Sequence, residues 1–363
     1  MNLGRMLAVA RKELLQLKRD RLSLAMIMGV PTLELLMFGF AINLDVRHLP
    51  AAVLDQAGTA LSRELVDELA SSQVLDLRKR LVAPQEVIAL LRRGEVSAAV
   101  VIPPDFEARL QRGDRPAWQL VVDGSDQSVQ AAARQLAAFP LGSLRGLPEP
   151  SAGVEIVNFY NPERRAPVNT VPGLVGVILT MTMVLFTAMA LVREQERGNL
   201  EMLIATPLSP LELTVGKVLP YVAIGLVQVT LILLLGWVVF GVPVRGSLLD
   251  VYGASLCFIV ASLALGIFIS TLAKTQFQSM QVTLFAFMPQ ILLSGFMFPF
   301  NGMPQVAQWL AEAMPLTHFL RLIRGVMLRS ARLTELWPEL LALLAFTVVM
   351  LAVAVARTKK RLA

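Results

Sequence analysis

Side chains that carry enzymatic chemistry are few and scattered in this sequence. One cysteine, Cys257, and two distant histidines, His48 and His318, exclude a multi-cysteine zinc site and leave little for a metal cluster. The one Gly-Lys pair, Gly216-Lys217, is followed by valine and lacks the upstream glycine of an ATP-binding P-loop. No Ser/His/Asp set and no paired catalytic carboxylates stand out. The sequence therefore predicts a chain that is not an enzyme and holds no metal.

Three aspartates, Asp55, Asp123 and Asp126, stand at the ends of predicted strands, where binding residues often lie. A metal or catalytic site is one interpretation of them. The other is that they cap helices and solvate turns, which suits the Asp-Gly-Ser-Asp run from Asp123 to Asp126 before a predicted helix. We favour capping.

Glu34 is the only ionisable residue well inside a predicted membrane span, three residues after Pro31. A buried membrane acid is costly and is by default a functional hypothesis. Its carboxyl group either relays protons or binds a cationic substrate, or it accepts hydrogen bonds at a helix interface near the bend at Pro31. The other predicted spans contain no charge, which weakens the case for a proton-coupled antiporter.

The composition of the chain is that of a polytopic membrane protein. Hydrophobic residues make up 55% and charged residues 17%, where soluble proteins average about 45–50% and about 25%. The apolar residues stand in blocks of about 20, the length that crosses a hydrocarbon core. The net charge of +6 does not indicate nucleic acid, because the charges gather beside these blocks.

We predict an α-helical membrane protein with six transmembrane helices and an inserted external α/β domain. The spans are Leu22–Leu44, Pro172–Val192, Val218–Phe240, Val251–Leu272, Gln276–Phe300 and Leu340–Ala356.

Lys and Arg in the short loops indicate that the N- and C-termini are cytoplasmic. That side collects most of these residues. The opposite side holds one arginine in the loop before the fourth span and a group before the last span that violates the trend. These five are Arg245, Arg321, Arg324, Arg329 and Arg332.

The domain boundaries follow from these spans. Residues 1–21 have an apolar stripe at helical spacing and are predicted to lie along the cytoplasmic membrane surface; a basic flank without a specific partner is the alternative. The first span at 22–44 precedes the external domain at 45–170. The remaining bundle, 171–363, includes a cytoplasmic elbow at 193–217 and an external hairpin at 300–335.

The external domain is predicted from short β-rich runs that alternate with helical runs. The strands are Ala51–Asp55, Val74–Leu77, Ala98–Ile102 and Trp118–Val122. The helices between and after them are Thr59–Ala70, Pro84–Arg92, Pro104–Gln111 and Gln127–Phe139.

The elbow begins with a charged stretch and a bend. Gly198 permits the bend, and Leu200, Leu203 and Ile204 form an apolar stripe at helical spacing. The Thr206-Pro207 pair ends that helix, because the residue before proline avoids the α region.

A second helix begins at once, within the elbow. Ser209, Pro210 and Glu212 occupy its N-cap, N1 and N3 positions, a capping box with proline at its favoured place. These helix ends and caps predict a stiff elbow, which would transmit a push from a partner protein into the second and third spans.

The elbow resembles that of the membrane subunits of ABC-2 type exporters. Asn199 replaces the threonine usual in that family. The run from Pro289 to Pro299 resembles the family's fifth span, and Ile102–Phe106 and Val122–Ser125 resemble the branch with a large external domain. The matching elbow positions are Glu194, Glu196, Gly198, Glu201, Leu203, Thr206, Pro207, Leu208, Ser209, Glu212, Gly216 and Lys217.

This resemblance implies a separate ATPase subunit that binds ATP and Mg, a dimer with a second copy or a sister permease, and export of a hydrophobic or amphipathic compound, such as a drug-like molecule or lipid. A periplasmic adaptor protein is a further expected partner, and membrane lipid another. The alternatives are an ion-coupled secondary efflux transporter and a membrane-anchored ligand-sensing adaptor.

The resemblance also implies residue roles. The elbow is expected to dock in a groove of the ATPase; for Glu194 and Glu196 the alternative is a solvated loop. The coupling residues are Glu194, Glu196, Gly198, Leu200, Glu201, Leu203, Thr206, Pro207, Ser209 and Glu212. A candidate transport path comprises Glu34, Ser294, Gly295 and Phe296.

Overall fold

The computed structural model describes residues 48–137, 154–196 and 210–362. The surface helix predicted at 1–21 and the first span predicted at 22–44 lie outside these residues. In the described part of the chain, a unit built on a β-sheet precedes long helices.

A five-stranded sheet organises the first unit, in the order β2-β1-β3-β4-β5. Neighbouring strands run parallel except β3 and β4. The first four strands coincide within a few residues with the predicted ones, whereas β5 was missed because most of its side chains are partly exposed and its apolar pattern is weak. The strands are β1 (Leu49–Asp55), β2 (Leu75–Arg80), β3 (Ala98–Ile102), β4 (Trp118–Asp123) and β5 (Val154–Phe159).

Four helices cover the two faces of this sheet. Val87 and Leu91 of the second helix pack on one face, and the other three helices pack on the opposite face. Alternating strand residues divide between these two apolar clusters, as the pleat of a strand requires. The helices are α1 (Ala60–Ser71), α2 (Pro84–Arg93), α3 (Phe106–Arg112) and α4 (Gln127–Ala137). We call the sheet and its helices the α/β domain.

Strand β5 leads directly into the helical bundle. Four of its segments are long and apolar enough to cross a membrane, namely Ala166–Glu196, Leu219–Val238, Leu248–Ser270 and Leu333–Arg357. The described helices of the bundle are α5 (Ala166–Glu196), α6 (Pro210–Val238), α7 (Leu248–Ser270), α8 (Gln276–Leu293), α9 (Gln305–Glu312), α10 (Pro315–Arg329) and α11 (Trp337–Leu362).

The fifth span predicted at Gln276–Phe300 is helical only to Leu293. Gly295 has a φ of 84°, a left-handed conformation that takes the chain out of the helix, and a 3-10 turn follows at Phe300–Gly302. Helix α8 has 18 residues and several polar side chains, and it is not among the four segments above.

The long helices alternate in direction between two ends of the bundle. At one end, the Arg165 guanidinium before α5 donates to the Phe240 carbonyl after α6, and this end faces the α/β domain. At the other end, Glu196 at the end of α5 meets Gln276 at the start of α8. We call these the domain end and the distal end.

Helices α5 and α7 form the centre of the bundle, and α6 and α11 lie at its outside. Half of the apolar window of α5 and 67% of that of α7 are buried, against 22% for α6 and 17% for α11. Close approach depends on small residues: a Cβ at Gly266 of α7 would lie 2.8 Å from the Thr187 side chain of α5. The outer helices therefore present apolar side chains outward, which suits contact with lipid or another membrane segment.

Candidate functional site at the two ends of the bundle

At the distal end, the last residue of α5 caps the first turn of α8. The Glu196 carboxylate accepts hydrogen bonds from the Gln276 backbone N–H at 2.8 Å and from its side-chain amide at 2.6 Å. The Arg193 guanidinium donates to the Gln276 side-chain oxygen at 3.2 Å. We call these three residues the distal joint.

The distal joint has a clear electrostatic basis. The first backbone N–H groups of a helix lack intrahelical partners, and a carboxylate there also interacts favourably with the helix dipole. Thr275 caps α8 by accepting from the Gln278 N–H, so Glu196 takes a different orphan donor. The end of α5 and the start of α8 are therefore linked.

Most predicted coupling residues cannot be placed beside this joint. Glu194 and Glu196 lie in the last turn of α5. The described part of helix α6 starts with Pro210 and includes Glu212. The others lie outside the described residues: Gly198, Leu200, Glu201, Leu203, Thr206, Pro207 and Ser209. Docking on an ATPase stays a prediction, and the structure adds that Glu196 also contacts α8.

The candidate transport-path residues of α8 lie at the domain end. Ser294 is the C-cap of α8 and is buried, and the Phe296 ring packs so closely on α5 that a Cβ at Gly173 would lie 2.4 Å from it. The Gly295 carbonyl accepts from the Arg324 guanidinium of α10 at 3.4 Å. The structure thus brings these residues together in a packed joint, while Glu34 lies outside the described residues.

The domain end contains a second joint, which the sequence analysis missed. Arg329 of α10 reaches Asp123 at the end of β4, at 3.4 Å, and Arg324 reaches Asp126 at 3.6 Å. The Arg329 guanidinium also lies over Gly94, where a Cβ would come within 2.5 Å of it. We call Asp123, Asp126, Arg324 and Arg329 the domain joint.

Asp55 and Asp123 both make the local hydrogen bonds expected of the capping interpretation, and Asp123 has a second role. Asp55 behaves as a turn cap, because it accepts from the backbone N–H groups of Ala57 and Gly58 and from the Ser62 hydroxyl. Asp123 accepts from the Ser125 N–H and is also the anion beside Arg329. The sequence did contain a signal for this joint, namely the arginines that violated the orientation trend. Arg321 and Arg324 are three residues apart and so lie on the same side of a helix. Arginines clustered on the non-cytoplasmic side in this way suggest carboxylate partners.

A charged cluster around His318 adjoins the domain joint, since Arg321 and Glu339 line the same cavity. The two ring nitrogens of His318 face the Glu339 carboxylate and the Glu312 carbonyl, which are both acceptors, so a doubly protonated imidazolium satisfies them best. Burial lowers the pKa of His318, but these two hydrogen bonds outweigh it, and the net pKa is raised above 6.5. Arg321 joins the cluster through Glu312 and Glu339 and lies 4.6 Å from the Phe300 ring centroid.

A crevice separates the α/β domain from the bundle at this end. A cavity of about 240 Å³ is lined by the domain joint, and a groove of about 570 Å³ lies against the edge of the sheet and the Phe300–Gln308 segment. Both are lined by Pro50, Phe300 and Asn301, so they adjoin.

Known proteins resemble this chain over nearly its whole length. A family model described as an ABC-2 family transporter protein matches residues 21–356. The probable multidrug ABC transporter permease YbhS of Escherichia coli K12 is 30% identical over 375 residues, which cover 99% of this chain and 97% of that protein. For YbhR, of the same description, the identity is 29% over 94% of this chain and 95% of the relative. The inner membrane transport permease YhhJ is 27% identical over 96% and 95%.

The His318 cluster predicts a pH-dependent stability. A raised folded-state pKa adds stability that is fully present below pH 6.5 and is lost as the pH rises through that pKa. In detergent, the unfolding midpoint of His318→Gln should therefore lie furthest below the wild-type midpoint at low pH, and the difference should shrink as the pH rises. The control His48→Asn changes an exposed histidine before β1 and should show no such trend. A difference that grows with pH would contradict the assignment of charge to His318.

Proposed function

Because the chain belongs to the ABC-2 transporter family, we propose that it is the membrane subunit of an ABC exporter that moves a hydrophobic or amphipathic compound out of the cytoplasm or the inner leaflet. The names of its relatives, which include multidrug permeases, support this substrate class. ATP and Mg bind to a separate ATPase chain, and the family favours a dimer of permease subunits. The comparisons do not support a periplasmic adaptor protein as a partner.

The proposed orientation keeps the distal end in the cytoplasm and the α/β domain outside, in the inner membrane of a bacterium. The proposed topology has six spans, of which the first is Leu22–Leu44 and the fifth contains α8. The domain joint supports this orientation. Arg324 and Arg329, which stand against the charge trend, have carboxylates of the α/β domain beside them, so these charges are accounted for by a local partner.

The distal joint is the observation that carries the proposed mechanism. The coupling elbow connects α5 to α6, and Glu196 in its first residues also holds the first turn of α8. A push of the ATPase on the elbow therefore reaches α8 as well as α5 and α6. At its other end α8 contacts α10 through the Gly295 carbonyl and Arg324, and Arg324 contacts Asp126 of the α/β domain. Helix α8 thus connects the ATPase side to the external side.

Removal of the Glu196 carboxylate should uncouple transport from ATP hydrolysis. In the reconstituted complex with its ATPase, Glu196→Ala should hydrolyse ATP but export several-fold more slowly, because α8 no longer follows α5. Glu196→Gln keeps an oxygen for the Gln276 N–H and should lie between this variant and the wild type. The control Glu163→Ala removes an exposed glutamate at the other end of the bundle and should export normally. Normal export by Glu196→Ala would remove the distal joint from the mechanism.

The orientation is tested by labelling single cysteines in a Cys257→Ala background. Val82 is 88% exposed in the α/β domain, and Lys274 is exposed at the distal end. In intact spheroplasts an impermeant thiol reagent should label Val82→Cys and should label Lys274→Cys only after the membrane is opened. Labelling of Lys274→Cys from outside would invert the proposed orientation.

A further inference from the structure

The domain joint combines buried arginines with an open cavity, and its ion pairs are long. Charge-assisted N–H···O bonds measure about 2.7–2.9 Å, whereas Arg329 lies 3.4 Å from Asp123 and Arg324 lies 3.6 Å from Asp126. The two guanidinium groups are therefore not held by close pairing with these carboxylates. They retain capacity for another anion.

The unused capacity lies on one nitrogen of each arginine. The Nε atoms of Arg324 and Arg329 are buried and have no hydrogen-bond partner among the described residues. Both side chains are largely buried, with 14% and 10% of their surface exposed. A buried donor without an acceptor is costly, and more so if it is charged, so each guanidinium has hydrogen-bonding capacity that the described residues do not use.

Both arginines line the cavity of about 240 Å³ at the domain joint. Its other charged lining residues are Arg93, Arg321, Asp123, Asp126 and Glu339, so arginines outnumber carboxylates. That volume accommodates a phosphate group with several waters, because one water occupies about 30 Å³ in the liquid. Arginine binds phosphate and carboxylate oxygens through paired N–H groups. A planar carboxylate matches one guanidinium, whereas a tetrahedral oxyanion presents oxygens in several directions and can meet two separate ones.

We propose that the cavity at the domain joint binds a phosphate-type oxyanion through Arg324 and Arg329. The oxyanion belongs either to a phospholipid headgroup, which enters along the crevice between the α/β domain and the bundle, or to a soluble phosphate. Asp126 competes with it for Arg324. The site does not depend on ATP or on the partner subunit, so its failure and that of the proposed export function are separate results.

The experiment measures the unfolding midpoint of the purified full chain in a phosphate-free maltoside detergent. Inorganic phosphate and phosphatidylglycerol are titrated separately, each against chloride at equal ionic strength, and the apparent affinity is read from the shift. A shift of the unfolding midpoint with both phosphate and phosphatidylglycerol would support a soluble-phosphate source. A shift with phosphatidylglycerol alone would support a lipid headgroup. No shift beyond that of chloride with either probe would overturn the proposal.

Two substitutions, one on each side of the Arg324–Asp126 ion pair, distinguish ligand binding from a structural role of that pair. Arg324→Gln should weaken binding of the active probe about tenfold, the size of a lost charge-assisted hydrogen bond. Asp126→Asn should tighten binding about threefold or more, because it removes a nearby negative charge. The control Arg332→Gln removes an exposed arginine just after α10 that does not line the cavity, and it should bind like the wild type. If Arg324→Gln and Asp126→Asn change the affinity in the same direction, or if Arg332→Gln weakens it equally, the two arginines do not form an oxyanion site.

Discussion

A guanidinium group that is nine-tenths buried requires an anion or an acceptor, and this requirement determines how the α/β domain sits on the bundle. Arg329 is 10% exposed and projects from α10 to Asp123 and the backbone at Gly94. A buried charge without any compensating group is costly, so the carboxylate of Asp123 beside Arg329 favours this arrangement. Helix α10 itself is fixed in the bundle core by apolar residues such as Phe319, whose ring stacks on Phe258 at 4.1 Å. The α/β domain is thus tied to a helix whose side chains are mostly buried.

Helix α8 meets both ends of this arrangement. With a rise of about 1.5 Å per residue, its 18 residues span about 27 Å. Its start is capped by Glu196 from α5, and just beyond its end Gly295 contacts Arg324 of the domain joint. An exporter must relate events at its ATPase to events on the other side of the membrane, and we propose that α8 provides this connection. The polar side chains that reduce its hydropathy are consistent with a helix that lies among other helices rather than in lipid.

The sequence predicted the parts of the fold that local patterns specify. Strands β1 to β4 are short β-rich runs bounded by turns. Helix α8 was predicted too long, because the apolar run to Phe300 hides the left-handed turn at Gly295.

The joints could not be predicted, because each brings together residues far apart in the chain. Glu196 and Gln276 are 80 positions apart, and Asp123 and Arg329 are 206 apart. Asp123 looked like a helix cap for the same reason: its hydrogen bond to Ser125 is local, whereas its arginine partner belongs to a different element. The arginines that broke the orientation trend were the visible sign of this joint, although their partners were not.

The most direct test of transmission through α8 is a distance measurement across the domain end. Spin labels at Val82 of the α/β domain and Val306 of α9, which are 88% and 64% exposed, report the separation of the α/β domain and the bundle in the complex with the ATPase. We expect the distance distribution to change when ATP binds to the wild-type complex and to stay unchanged in Glu196→Ala, although the variant still binds ATP. The same ATP-dependent change in Glu196→Ala, or no change in the wild type, would contradict transmission from the distal joint to the domain joint.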